Sequence, residues 1–235
     1  MWMSIIWLPR SSRVRAIKSN HTECVLFDLD GTFADTAQDL HYALNLQLER
    51  HGREPVSFQR LRPSVSHGSR AMLQVGFGID PEHADFSALQ KEFLDLYLQN
   101  IALQTQPFEG MLELLDDLES QAIRWGIVTN KPARLTDPLM QRLGLQQRAS
   151  AIISGDTTAY AKPHPEPILQ ACRESDASPE RTLYIGDAQR DIEAGRNAGT
   201  RTLIAMFGYL GDTDKPETWQ ADGQIDHPVQ ILDWL

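Results

Sequence analysis

Two aspartates spaced two apart, Asp28 and Asp30, close an apolar run in the stretch LFDLDGTFADT and are followed by Gly31 and Thr32. Burying ionised carboxylates is costly without compensation. The pair therefore marks the solvent end of a strand or holds something positive. Three further stretches carry matching chemistry: Thr129-Asn130-Lys131, Ala161-Lys162-Pro163, and Gly186-Asp187 with Asp191 four residues on. Carboxylates brought close together repel one another and need a cation. A hard, oxygen-rich site with few protein ligands suits Mg²⁺, which keeps waters and binds phosphate oxygens. The two lysines and the Thr and Asn donors call for an anion, and a phosphate meets both demands. Five of the 22 Lys and Arg residues are lysines, and two of those five lie here. Lys131 reads either as a phosphate contact or as a rim charge.

The elements that must position these residues are legible as apolar runs. Cys24–Phe27, 125–128, Ala151–Ile153, 182–185 and 202–206 are continuous rather than alternating, as in strands covered on both faces. Helical spacing occupies 112–120, 133–143, Glu166–Glu174 and 192–198, with Gly144 and Gly199 placed as C-terminal caps. Alternating strand and helix predict an α/β fold, a doubly wound parallel sheet with ligands at the carboxyl ends of its strands. From about residue 36 to 103 no strand-like run occurs. Leu40, Leu44, Leu48 and then Phe86, Leu89, Phe93, Leu96, Tyr97 keep helical spacing instead. A helical insert after the first strand, returning near 107–110, follows from that break.

At 235 residues the chain accommodates one large or two unequal domains. A net charge of −10 disfavours non-specific binding to nucleic acid or anionic membranes. Cys24 and Cys172 stand apart among apolar neighbours without metal-ligand spacing, which reads as buried free thiols and a reducing, cytoplasmic setting. The first residues carry an apolar run too short to span a bilayer, with Arg10, Arg13, Arg15 and Lys18 after it rather than before it. They read as an extension outside the main fold, residues 1–22. The alternative is a weak membrane-surface or partner contact through Trp2, Ile5, Ile6 and Trp7. His21, His41, His51, His83, His164 and His227 lack metal spacing.

DLDGT, VTNKP, AKP and IGDAQRD, in that order, resemble the four motifs of the haloacid dehalogenase superfamily of phosphohydrolases, with the likeness running over 23–235. The insert resembles that superfamily's small α-helical cap. The resemblance implies a Rossmann-like core formed by 23–35 and 107–235, and a cap formed by 36–106. SHGSRAML, WGIVTNKP, MQRLGL and the tail from GYLGDTDKP onward are similar to the N-acetylmuramic acid 6-phosphate phosphatases of the phosphoglycolate phosphatase branch.

The resemblance further implies catalytic roles. Asp28 would be the nucleophile, forming an aspartyl-phosphate. Asp30 would be the general acid and then the base. Mg²⁺ would be held by Asp28, the Asp30 backbone carbonyl and Asp187. Thr129 and the Asn130 N–H would cradle the phosphoryl oxygens, Lys162 would pair with them and with Asp28, Asp191 would orient either Lys162 or a metal-bound water, and Thr32 would position Asp30. An acid at position 30 favours phosphoester hydrolysis over halide release, which needs none.

The substrate implied is a small-molecule phosphate monoester, chosen by the cap. Ser66-His67-Gly68-Ser69-Arg70 is a glycine turn opening a helix. It reads either as a site for an anionic or hydroxylated leaving group or as an ordinary helix start with a solvated arginine. Arg134 is a second candidate. Phe33-Ala34 and Ala188 depart from the usual motif residues without removing a catalytic group, so the entrance shape, and with it the exact substrate, is not read from the motifs. Two alternatives stand beside hydrolysis: a phosphosugar mutase, and a binding module that has kept the fold.

Overall fold

The computed structural model describes residues 21–235, so the expected extension, with Trp2 to Trp7 and its four basic residues, lies outside the described residues but for 21 and 22. In chain order the elements are β1 (Cys24–Phe27), β2 (Ala34–Asp35), α1 (Ala37–Arg50), α2 (Phe58–Leu61), a 3₁₀ segment Arg62–His67, α3 (Gly68–Phe77), α4 (Phe86–Gln99) and β3 (Gln106–Pro107). There follow α5 (Met111–Ser120), β4 (Arg124–Val128), α6 (Ala133–Arg142), β5 (Ala151–Ile153), α7 (Glu166–Glu174), β6 (Thr182–Gly186), α8 (Gln189–Ala198), β7 (Arg201–Ala205) and β8 (Gly223–Ile225).

Six strands form one parallel sheet in the order β5-β4-β1-β6-β7-β8. The chain runs from the central β1 outward through β4 and β5, then returns to β6 on the other side. That reversal leaves a crevice beyond the carboxyl end of β1, where open α/β sheets bind ligands. All four β1 residues are buried. Val25 and Phe27 join the apolar cluster that contains Leu114 and Leu118 of α5, whereas Cys24 and Leu26 join the cluster with Ile168 and Ala171 of α7. The alternation of strand side chains thus fills both faces. Cys24 and Cys172 are buried and free, and burial pushes the Cys24 thiol up to about 12.

Between β2 and β3 the chain builds the helical insert. Leu40, Leu44 and Leu48 of α1 and Phe93, Leu96 and Tyr97 of α4 are buried together, the 3.6-residue spacing giving each helix one apolar face. Prolines and glycines break the middle into α2, the 3₁₀ segment and α3, which ends at Gly78 in the left-handed conformation. The two crossings into and out of the insert pair as β2 and β3, Ala34 opposite Pro107 and Asp35 opposite Gln106.

Two features differ from the expectation. The short β8 and the β2–β3 pair carry too few apolar residues to show as runs. Phe33 and Ala34, the departures from the usual motif, are packing residues outside the cavity lining: both are fully buried, and Phe33 stacks on Trp125 with ring centroids 5.5 Å apart. Ala188 is likewise buried at the start of α8. No helix among the described residues is long and apolar enough to cross a membrane.

Candidate active site

Asp28 leaves β1 with its N–H on the Ile185 carbonyl at 2.9 Å, so the sheet ladder itself aims it into the crevice. The chain then turns within a few residues: the N–H groups of Phe33 and Ala34 both donate to the Leu29 carbonyl. Gly31 has φ +87°, and a β-carbon there would collide with the Asp187 carboxylate. This is the physical reason the glycine of DLDGT is needed.

Lys162 lies at the centre, its side chain wholly buried. Its ammonium is 2.9 Å from Asp28 Oδ1 and 2.7 Å from Asp191 Oδ1, and it donates to the Val128 carbonyl and the Tyr184 hydroxyl. Burial alone would raise the Asp28 pKa. The charges of Lys162 and Arg190, with donation from Lys162 and from the Leu29 N–H, reverse this and hold the carboxylate below its usual range. The loop bearing Lys162 is pinned to the β4 loop by a reciprocal pair. Asn130 Nδ2 donates to the Lys162 carbonyl and the Lys162 N–H donates to Asn130 Oδ1, each at 2.9 Å. Asp191 Oδ2 accepts the Ala188 N–H at 3.0 Å, capping α8 while its other oxygen faces Lys162.

One carboxylate oxygen from each of Asp28, Asp187 and Asp191 lies within 4.8 Å of the others. Burial first, then the charges of Asp28 and Asp191, push Asp187 up to about 7. Lys162 serves Asp28 and Asp191, so Asp187 is the one of the three carboxylates in contact with no ammonium, and the Arg190 charge acts on it without an ion pair. Closely spaced, buried hard oxygens, one of them on a carboxylate that no lysine contacts, fit a divalent cation such as Mg²⁺.

Asp30 points elsewhere. Lys131 donates to both its oxygens, at 2.7 and 3.0 Å, and the Thr36 hydroxyl donates to Oδ1 at 2.6 Å. Lys131 is therefore no rim charge. Its side chain is 6% exposed, and its ammonium sits 4.5 Å from the ring centre of Tyr97 of α4. Thr32 does not hold Asp30 as expected: its hydroxyl lies 3.5 Å from Asp187 Oδ1, because the turn carries it to the β6 side. Thr129 is buried, and its hydroxyl accepts the Lys131 N–H at 3.1 Å.

A cavity of about 480 Å³ opens in front of Asp28 and Asp30 and is roofed by the insert. Ser66, His67, Gly68, Ser69 and Arg70 line it, as expected of the glycine turn, with Gln90, Leu94 and Tyr97 beside them. Ser66 is committed within the protein: its hydroxyl donates to Asp187 Oδ2 at 2.6 Å. Arg134 is committed too, to Asp95 of α4 at 3.0 Å, outside the cavity lining. Thr36, Tyr184, Arg190 and Tyr209 escape a motif reading. Arg190 alone had a signal, its place within IGDAQRD between two acidic residues.

Residues 25–205 match the family model described as haloacid dehalogenase-like hydrolase. The N-acetylmuramic acid 6-phosphate phosphatase of Pseudomonas aeruginosa is 42% identical over 219 residues, covering 93% of this chain and 97% of its own. The phosphoglycolate phosphatase of Xanthomonas campestris pv. campestris is 44% identical over 211 residues, covering 88% and 93%. A crystal structure of a predicted phosphoglycolate phosphatase from Haemophilus somnus superposes with a TM-score of 0.79 at 24% identity, covering 91% of this chain and 97% of that one.

Proposed function

The chain belongs to the haloacid dehalogenase-like hydrolases, and from that premise we propose that it is a Mg²⁺-dependent phosphomonoesterase working through an aspartyl-phosphate on Asp28. The observation that carries the reading is the Asp28–Lys162 pair: a carboxylate held ionised by a buried ammonium at the mouth of a substrate-sized cavity. Phosphate transfer requires little beyond such positioning and charge.

In this reading Asp28 attacks phosphorus, and the bond from phosphorus to the substrate oxygen breaks. Asp30 gives its proton to that oxygen, releasing the alcohol. Asp30, now a carboxylate, takes a proton from water as the water oxygen attacks phosphorus, the bond to Asp28 breaks and free phosphate leaves. Lys131 pairs with Asp30, at 2.7 and 3.0 Å, and would be shared with the incoming phosphoryl oxygens. Thr129, the Asn130 N–H and Lys162 hold the phosphoryl oxygens, and Asp191 holds Lys162. Asp28, Asp187 and the Asp30 carbonyl would hold Mg²⁺, which when bound would neutralise charge on the transferring group. Ser66, His67, Gly68 and Arg70 border the leaving group, with residues 36–106 acting as cap.

Between the relatives' two substrates the cavity favours the sugar. Its volume is in the range of drug-sized ligand sites and far exceeds what a two-carbon acid fills. Its walls include Leu40, Val65, Met72, Leu94 and Leu135, apolar surface suited to acetyl and lactyl methyls. Purified protein with Mg²⁺ is expected to hydrolyse N-acetylmuramic acid 6-phosphate with a higher kcat/KM than phosphoglycolate. A reversed order would overturn the substrate, and an isomerised sugar without free phosphate would replace hydrolysis by mutase chemistry.

A further inference from the structure

The 3₁₀ segment Arg62–His67 does more than roof the cavity. It reaches from the insert to the core and touches it at several points. Arg62 donates to the Phe207 carbonyl at 3.3 Å and lies over the Tyr209 ring. The Arg190 guanidinium donates to the Ser66 carbonyl. The Ser66 hydroxyl, 5% exposed as a residue, donates to Asp187 Oδ2.

The same Oδ2 accepts the Tyr209 N–H at 2.8 Å. One oxygen of Asp187 thus takes a donor from the core and a donor from the insert. The other, Oδ1, has only the long contact from Thr32. A carboxylate loaded this way has one oxygen fixed by two short donors and the other without one, so that second oxygen keeps its capacity to take a cation. Hydrogen bonds behind a ligand set its orientation, and their loss typically weakens metal binding 10–100-fold.

We infer that Ser66 is a positioning residue for Asp187, so that docking of the insert on the core and binding of the divalent cation are one linked event. The inference rests on the reading of Asp187 as a cation ligand and adds what that reading lacks: a side chain of the insert that completes the site only when the insert is docked. Linkage is reciprocal. Cation binding must hold Arg62–His67 down as much as the docked segment favours the cation.

The test uses the full chain and Mg²⁺ alone, with no substrate. Calorimetric titration is expected to show Ser66→Ala binding Mg²⁺ about 10-fold more weakly than the parent. Ser66→Thr, which keeps the hydroxyl, is expected to recover most of that loss. Hydrogen exchange of the amides in Arg62–His67 is expected to slow on adding Mg²⁺ to the parent and to change little in Ser66→Ala. Melting of the cation-free proteins confirms that both variants fold. Equal or tighter Mg²⁺ binding by Ser66→Ala would overturn the inference, as would exchange in the parent that ignores Mg²⁺. If the parent hydrolyses phosphate esters but Ser66→Ala binds Mg²⁺ equally well, the inference alone fails. If the parent binds no Mg²⁺, the reading of Asp187 fails with it.

Discussion

At the scale of single residues the site divides its carboxylates by environment. Asp28 is kept ionised by Lys162 despite burial, while Asp187 is raised to about 7 by burial and by its acidic neighbours. A free Asp titrates near 4, so between about pH 4 and 7 the cation-free folded protein holds a proton at Asp187 that the unfolded chain has lost. Stability from this group is present below about pH 4 and is lost as pH rises through 7. The opposite contribution of the depressed Asp28 changes only below the usual carboxylate range, outside that window. Melting without cation is therefore expected to fall between pH 5.5 and 8. Saturating Mg²⁺ should flatten the slope, and Asp187→Asn should reduce it, leaving the share of Asp191, which burial also raises. A slope unchanged in Asp187→Asn would assign it to another group.

At the scale of elements the key junction is the β2–β3 pair and the start of α1. The Tyr209 hydroxyl accepts the N–H groups of Thr36 and Ala37, at 2.6 and 3.0 Å, and donates to Asp35 at 2.7 Å. It does from 170 residues away what a local side-chain cap does at most helix starts. Tyr209→Phe leaves those donors unpaired and is expected to cost about 1–3 kcal/mol of stability, read by denaturant unfolding. A loss within error would show that water replaces the hydroxyl. Five sheet strands and the flanking helices were legible because buried parallel strands leave continuous apolar runs, as in Cys24–Phe27. β8 is three residues with one buried apolar side chain, and the β2–β3 pair is two residues a side; neither leaves a pattern. The catalytic candidates were legible as ordered motifs, whereas Tyr209 and Thr36 act through contacts that only folding creates. Phe33 shows the converse: a departure from the usual motif that is a packing choice, matched by Trp125.

At the scale of the whole molecule, an acidic protein of net charge −10 must admit an anion. It does so by gathering Lys131, Arg70 and Arg190 around one cavity. Arg70 is exposed on the insert side and lines the cavity; on the proposed reading it would meet the far end of a substrate rather than its phosphate. Arg70→Ala is expected to lower kcat/KM about 10-fold for N-acetylmuramic acid 6-phosphate, and far less for N-acetylglucosamine 6-phosphate, which lacks the lactyl carboxylate. Equal losses on both would place Arg70 outside recognition of that group. The rim pair Arg134–Asp95 joins core to insert in exposed positions. Arg134→Gln is accordingly expected to change kcat/KM less than about threefold, and a larger effect would return Arg134 to the substrate site.

In the proposed chemistry phosphate passes through Asp28. The most direct test is to quench the enzyme with acid during turnover, reduce it with borohydride and map the peptides by mass. An aspartyl-phosphate at Asp28 is expected to appear as homoserine at position 28, and to be absent without substrate. Undiminished hydrolysis with no modification at position 28 would contradict the account.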